Sequence, residues 1–215
     1  VRFQLLRNKK FIVVLCVVAA IGLILLAGCG WTTGPTFQGE YNPSEADPVT
    51  VVQNWMKAME FKETTNDQGQ TQKLPENGRD FDLWLLVSDP QWLIDPTTGA
   101  VASADDIQQY DNQWQATDWQ VEFKDIQLEL ESQTSTEATV KISNGAVRYI
   151  GRQFFSTTEY KQDSFGDKPG EVFLRYYSDA NDPLKNVPEV ADRAVPRWVV
   201  VGGHDIGENI SFPVQ

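Results

Sequence analysis

The chain has 215 residues with 18 basic and 30 acidic side chains and a formal charge of −12, which suits one domain with appendages. Arg2, Arg7, Lys9 and Lys10 precede Cys29 and no acid does. Taking those four from 18 leaves 14 basic against 30 acidic side chains, a net of −16, from Cys29 onward. Such a field repels a polyphosphate and excludes nucleic acid as a partner, while seven Trp, eleven Phe and 41% hydrophobic residues exclude wholesale disorder.

Residues Phe11 to Ala27 form an apolar run of 17, with a basic segment before it and Leu26-Ala27-Gly28-Cys29 at its end. That order of aliphatic, small, small and Cys is a lipobox. Leu26, Ala27 and Gly28 fit the narrow cleft of a lipoprotein signal peptidase, and Cys29 takes a diacylglycerol thioether and becomes the new N-terminus. Two or three acyl chains, at about 0.8 kcal/mol per buried methylene, give lasting attachment where one would not. An uncleaved anchor is the alternative, since Phe11 to Trp31 is 21 residues long and about 20 cross a bilayer. Either way the basic end lies inside and the bulk of the chain outside the cytoplasm. Cys16 falls within the apolar run and Cys29 is the lipid acceptor, so the exported part has no thiol for a disulfide, a thiolate metal site or a nucleophile.

Three segments follow from this: a signal peptide over 1–28, a flexible tether over 29–46 and an exported domain over 47–215. The tether is rich in Gly, Thr, Pro, Asn and Ser. Asp47 as N-cap with Pro48 at the first helical position opens a helix of about 14 residues, whose apolar stripe carries Val52, Met56 and Met59 beside Val51 and Trp55. Lys62 to Arg79 is polar, holds Gly69, Pro75 and Asn77-Gly78, and reads as a long surface loop. Phe81 to Val87 favours a short helix over a strand. Ser103 with Asp106 makes a capping box for a helix to about Trp114, with Ile107, Tyr110 and Trp114 on one side.

The remainder reads as β-structure. Trp119, Val121 and Phe123 alternate, and Ile126, Leu128 and Leu130 continue one step out of phase, which places a bulge near Lys124-Asp125. Asn144-Gly145 between two alternating runs predicts a type I′ hairpin pairing Ile142 with Val147 and Val140 with Tyr149. Further strands are expected at Glu171 to Tyr177 and Arg197 to Gly202, with a Pro-rich crossing between them.

The fold class is therefore α+β, with N-terminal helices packed on a bent antiparallel sheet. In three places the chain resembles the nuclear-transport-factor-2-like, or ketosteroid-isomerase-like, superfamily of cystatin-like cones. These are Asp47-Pro48-Val49-Thr50-Val51-Val52 with Trp55, the run Glu137-Ala138-Thr139-Val140-Lys141-Ile142 and the closing Arg197-Trp198-Val199-Val200. The resemblance implies a helix-lined cone whose concave sheet takes a ligand or another chain, in a superfamily that holds enzymes, binding modules and passive spacers alike.

Candidate chemistry is sparse. His204 is the sole His, beside Asp205, and no Gly-x-Ser-x-Gly accompanies it, so it reads as a surface turn. Asp179-Ala180-Asn181-Asp182 has oxygen ligands for calcium but not EF-hand spacing, and a solvated turn is its ordinary use. Asp80, Asp82, Asp105 and Asp106 read as helix N-terminal charges. Trp31, Trp92, Trp114 and Trp119 are candidates for a stacking platform, with Tyr110 and Tyr149 as further ligand or interface aromatics, whereas Trp55, Trp84 and Trp198 belong to apolar stripes. The resulting expectation is a membrane-anchored extracytoplasmic lipoprotein acting as a non-enzymatic binding or accessory module. It has membrane lipid at Cys29, protein partners in the cell envelope, no nucleic acid, no metal and no cofactor beyond the covalent lipid. The alternatives are a small-ligand or glycan binder using the cone and exposed Trp, or an isomerase- or dehydratase-type enzyme of the superfamily.

Overall fold

In a computed structural model, the structure describes residues 41–73, 78–115, 119–153, 156–166 and 168–206, without the side chains at 119, 120 and 150–163. The signal segment, the lipobox residues Leu26, Ala27, Gly28 and Cys29, and Trp31 lie outside the described residues. Among those described, no helix is long and apolar enough to cross a membrane.

Helix α1 spans Pro48–Met59, and its start follows the sequence: the Asp47 carboxylate accepts from Thr50 N at 2.8 Å and Pro48 fills the first turn. The chain before it is already packed, because Tyr41 and Ala46, at the end of the expected tether, lie against the main core. The expected surface loop holds a small hairpin, β1 (Glu63–Thr65) paired with β2 (Thr71–Lys73). Its turn is built by Asn66, whose Oδ1 accepts from Gln68 N and Gln70 N. All six strand residues are exposed, so no apolar alternation marks the pair. Helix α2 (Phe81–Val87) is capped by Asp80, and α3 (Ala104–Gln115) opens on the expected capping box, with Asp106 Oδ2 accepting from Ser103 N and Ser103 Oγ.

Five strands then make the antiparallel sheet: β3 (Trp119–Gln133), β4 (Glu137–Gln153), β5 (Ser156–Ser164), β6 (Gly170–Tyr177) and β7 (Arg197–His204). The order is β3-β4-β6-β7. On the side of β4 opposite β3, Glu137–Ile142 pairs with β6 and Ala146–Gln153 pairs with β5. The bulge falls where the phase change in β3 placed it, with the register shifting between Lys124 and Gln127 and Asp125 at φ 52°.

The Asn144-Gly145 hairpin is a correction. β4 runs straight through these residues, so Ile142 pairs with Leu128, Val140 with Leu130, Val147 with Phe123 and Tyr149 with Val121. Gly145 takes φ 102° but Asn144 does not share a positive φ, which a type I′ turn demands of both residues. The glycine serves a close approach: a Cβ there would stand 2.7 Å from the carbonyl oxygens of Lys124 and Asp125 and 2.8 Å from Ile126 Cα. The bulge and the glycine are thus one feature, at which the paired strands cross without a side chain between them. The turn that does join β3 to β4 is at Thr134, whose Oγ1 accepts from Thr136 N and Glu137 N.

Two cores result. In the larger one α1 lies on the inner sheet face, with Val51, Val52 and Trp55 at 0% exposure against Val140, Ile142 and Val172, also fully buried. Burying each such aliphatic side chain contributes about 1.5–3 kcal/mol before conformational entropy is charged against it. Glu60 at the end of α1 fastens the layer, its Oε1 accepting from Phe123 N at 2.8 Å and its Oε2 paired with Lys73 of β2. The smaller core forms where the Pro-rich crossing, wound into three short 3-10 turns, sets Leu184, Val187 and Val190 against Leu85 and Leu93. The chain after α2 runs beside β7, with Asp89 N donating to Val200 O at 2.9 Å, and so covers that strand's edge.

Candidate functional site

The aromatic residues singled out in the sequence divide in the structure. Trp92, Trp114 and Tyr110 come together; Tyr149 does not, being 2% exposed on the inner sheet face. Trp119 pairs through its backbone with Gly151, and its side chain lies outside those described.

The group that forms sits between α2, the 3-10 turn Pro90–Leu93 and α3. Trp84 is its centre, 4.6 Å from Trp114 and 5.1 Å from Trp92 between ring centroids. Phe81 stacks on Trp84 at 6.1 Å, and Tyr110 meets Trp92 edge to face at 4.9 Å. Tyr110 is the most open of these rings, at 40% exposure. Arg79 completes the set: its guanidinium carbon lies 3.8 Å from the Trp114 ring centroid and its Nε donates to Trp114 O at 2.9 Å. A backbone bridge between Phe61 and Arg79 fixes this arginine at the end of α1.

The indole N–H groups of Trp84, Trp92 and Trp114 are buried with no hydrogen-bond partner among the described residues, as are the hydroxyls of Tyr41 and Ser88 elsewhere in the domain, although a buried indole ordinarily finds one. No carboxylate among the described residues pairs with Arg79, and burial pushes its guanidinium down to about 10, so it stays charged at neutral pH. Helix α3, which supplies Tyr110 and Trp114 to the group, buries none of its residues. The arrangement brings together flat aromatic faces, several donors and a cation.

Trp84, Phe81 and Arg79 were not legible as site residues. Trp84 lies on an apolar stripe that reads as core, and nothing around Arg79 marks it as different from any surface cation.

The acids are engaged elsewhere. Asp182 is fully buried with Arg197, accepts from Leu184 N at 3.0 Å and is not free for a cation; Asp179 pairs with Lys185 at 2.8 Å. At Asp182 the loop is therefore a buried ion pair and not the solvated turn its sequence suggests. Arg197 further donates from Nε to Leu86 O at 2.9 Å, tying β7 to α2. Asp89 accepts from the Tyr177 hydroxyl at 3.0 Å. His204 is exposed and stands 2.6 Å from Asp205, which also pairs with Lys168. No group of three or more His, Cys, Asp or Glu suited to a metal ion occurs among the described residues.

Comparison with protein-family models, with curated proteins and with solved structures finds no match to the chain.

Proposed function

We propose that the chain is a lipoprotein held at the extracytoplasmic face of the cell membrane through Cys29, and that its domain is a non-enzymatic binding or accessory module of the cone-shaped nuclear-transport-factor-2-like kind. The lipobox and the change of sign at Cys29 support the address. The observation that carries the module half is the inner face of the sheet, where a superfamily enzyme would hold its substrate. That face is filled by α1, with Val51, Val52 and Trp55 at 0% exposure against Val140 and Ile142. The buried carboxylates among the described residues each have a structural task, Glu60 on Phe123 N and Lys73, Asp89 on Tyr177 and Gln91 N, Asp182 on Arg197 and Leu184 N. An acid and base free to serve a reaction are what such a site requires, and these groups are already spoken for. The binding surface is then sought on the outside of the packed layer, among protein partners in the envelope.

Mass spectrometry of the native N-terminus is the direct test of the address. A diacylated Cys29 is expected, and an intact segment from Val1 to Gly28 contradicts it. Pull-down from detergent-solubilised membranes tests the module: co-purification of a stoichiometric envelope protein is expected, and turnover of a small molecule by the protein alone contradicts it.

A further inference from the structure

We propose that the free edge of β3 over residues 127–133 takes an added strand from a partner protein, an extended segment in which basic and aliphatic side chains alternate. The inference rests on reading the domain as a binding module and names the surface and the chemistry of the partner.

The edges of the sheet are finished differently. The chain after α2 runs along β7, with Asp89 N donating to Val200 O, and the near half of β3 is met by Glu60, which accepts from Phe123 N at 2.8 Å. Past the bulge, no described segment pairs with the side of β3 that faces away from β4. Residues 127–133 read Gln-Leu-Glu-Leu-Glu-Ser-Gln, without the Lys or Pro that ordinarily blunts an exposed edge. An unpaired row of backbone N–H and C=O groups is a template for another strand.

The side chains state what that strand carries. Leu128 and Leu130 pair with Ile142 and Val140 of the main core, so they point to the inner face, and Leu130 lies beyond the cover of α1 at 46% exposure. Glu129 points to the outer face, and Glu131, the extra residue where the register slips between Leu130 and Ser132, is exposed. Lys141, opposite Glu129, stands also opposite Glu171, one cation between two acids. No ion pair among the described residues engages Glu129 or Glu131. An incoming strand thus meets a leucine ridge on one side and unpaired carboxylates on the other, which aliphatic and basic residues in alternation match. A second copy of this chain is a poor occupant. Laid antiparallel about Leu130 it sets Glu129 opposite Glu131 twice, and like charges directly opposite are destabilising. Each copy also brings its net −16 from Cys29 onward.

The test uses the full chain in dodecyl maltoside micelles and three seven-residue probes: a peptide of alternating Lys and Val, the same peptide with its backbone amides methylated, and one of alternating Glu and Val. Amide exchange by nuclear magnetic resonance and anisotropy of the labelled peptides are the readouts. Alternate amides of 127–133 should exchange freely in the chain alone and slow when the Lys peptide binds. That peptide is expected to saturate below millimolar concentration, with the methylated form at least about tenfold weaker and the Glu peptide without saturation. Leu130→Lys should weaken the Lys peptide at least about tenfold, and Glu129→Gln with Glu131→Gln about fivefold, with circular dichroism confirming the fold of each variant. Equal binding of the methylated form, binding unchanged in Leu130→Lys, exchange in 127–133 unaltered by the peptide, or no saturation each overturns the proposal. So does protection of every amide of 127–133 before peptide is added, which would mean that a second copy or another segment of this chain already holds the edge. The readings fail separately: an envelope protein captured equally by the parent chain and by Leu130→Lys leaves the module standing and removes this edge.

Discussion

Helices α1 and α3 are each twelve residues long and each begins on a side-chain cap, yet α1 buries seven of its residues and α3 none. The difference lies in what each stripe meets. The stripe of α1 carries Val51, Val52, Trp55, Met56 and Met59 and faces a continuous apolar sheet. That of α3 carries Ile107, Tyr110 and Trp114 among Asp, Asn and Gln, and its rings meet the buried Trp84 and the half-buried Trp92. One helix is a wall of the domain, and the other packs along its margin through Ile107 and Trp114. Equal propensity and equal capping therefore do not give equal stability, since most helical stability in a folded protein comes from the buried face.

Substitutions can break that contrast in order of size. Trp55→Ala, on the wall, should cost about 3–5 kcal/mol through the cavity it leaves, read as the shift in free energy from denaturant unfolding. Arg197→Ala should cost a similar 3–5 kcal/mol or so, because Asp182 is then buried without its partner; restoring stability in the double variant Arg197→Met with Asp182→Leu would confirm that the penalty is an unpaired charge. Gly145→Ala should follow at roughly 1–3 kcal/mol, since the added Cβ meets backbone oxygens at 2.7 Å and the φ of 102° disfavours a side chain. On α3 the same kind of change should matter little: Tyr110→Ala is expected within about 0.5 kcal/mol of the parent chain.

The smallest effect concerns pH. Hydrogen bonds from the Ser103 backbone and hydroxyl hold the Asp106 carboxyl below its ordinary value. Its folded pKa is depressed, so its contribution is present above the ordinary carboxylate range and is lost as pH falls through the folded value. Asp106→Asn should flatten the acid limb of α3 helicity while leaving the sheet signal unchanged. A parallel shift of both would mean that α3 and the sheet melt as one body.

How much of this could be read in the sequence depended on whether the signal was local. The Asp47 and Ser103 caps, the α2 segment and the phase slip at Lys124-Asp125 rest on neighbours in the chain, and each lies where the sequence put it. Asn144-Gly145 shows the limit. The dipeptide that ordinarily turns a hairpin sits inside a straight strand, because the requirement it meets comes from Lys124 and Asp125 on the paired strand, about 20 residues away. The hairpin of β1 and β2 was hidden for the opposite reason, as six exposed residues leave no apolar pattern. In the candidate site, Trp92, Tyr110 and Trp114 were visible as surplus aromatics. Trp84 and Arg79 join them only through packing of three separate elements, which no spacing in the chain records.

Native-state hydrogen exchange on the full chain, resolved to α1 and α3, tests the contrast most directly. Amides of α1 should exchange only through global unfolding, and those of α3 at least about a hundredfold faster through a local opening that leaves the sheet protected. Exchange of α3 at the rate of α1 would contradict the account, for the helix would then be a wall like the other.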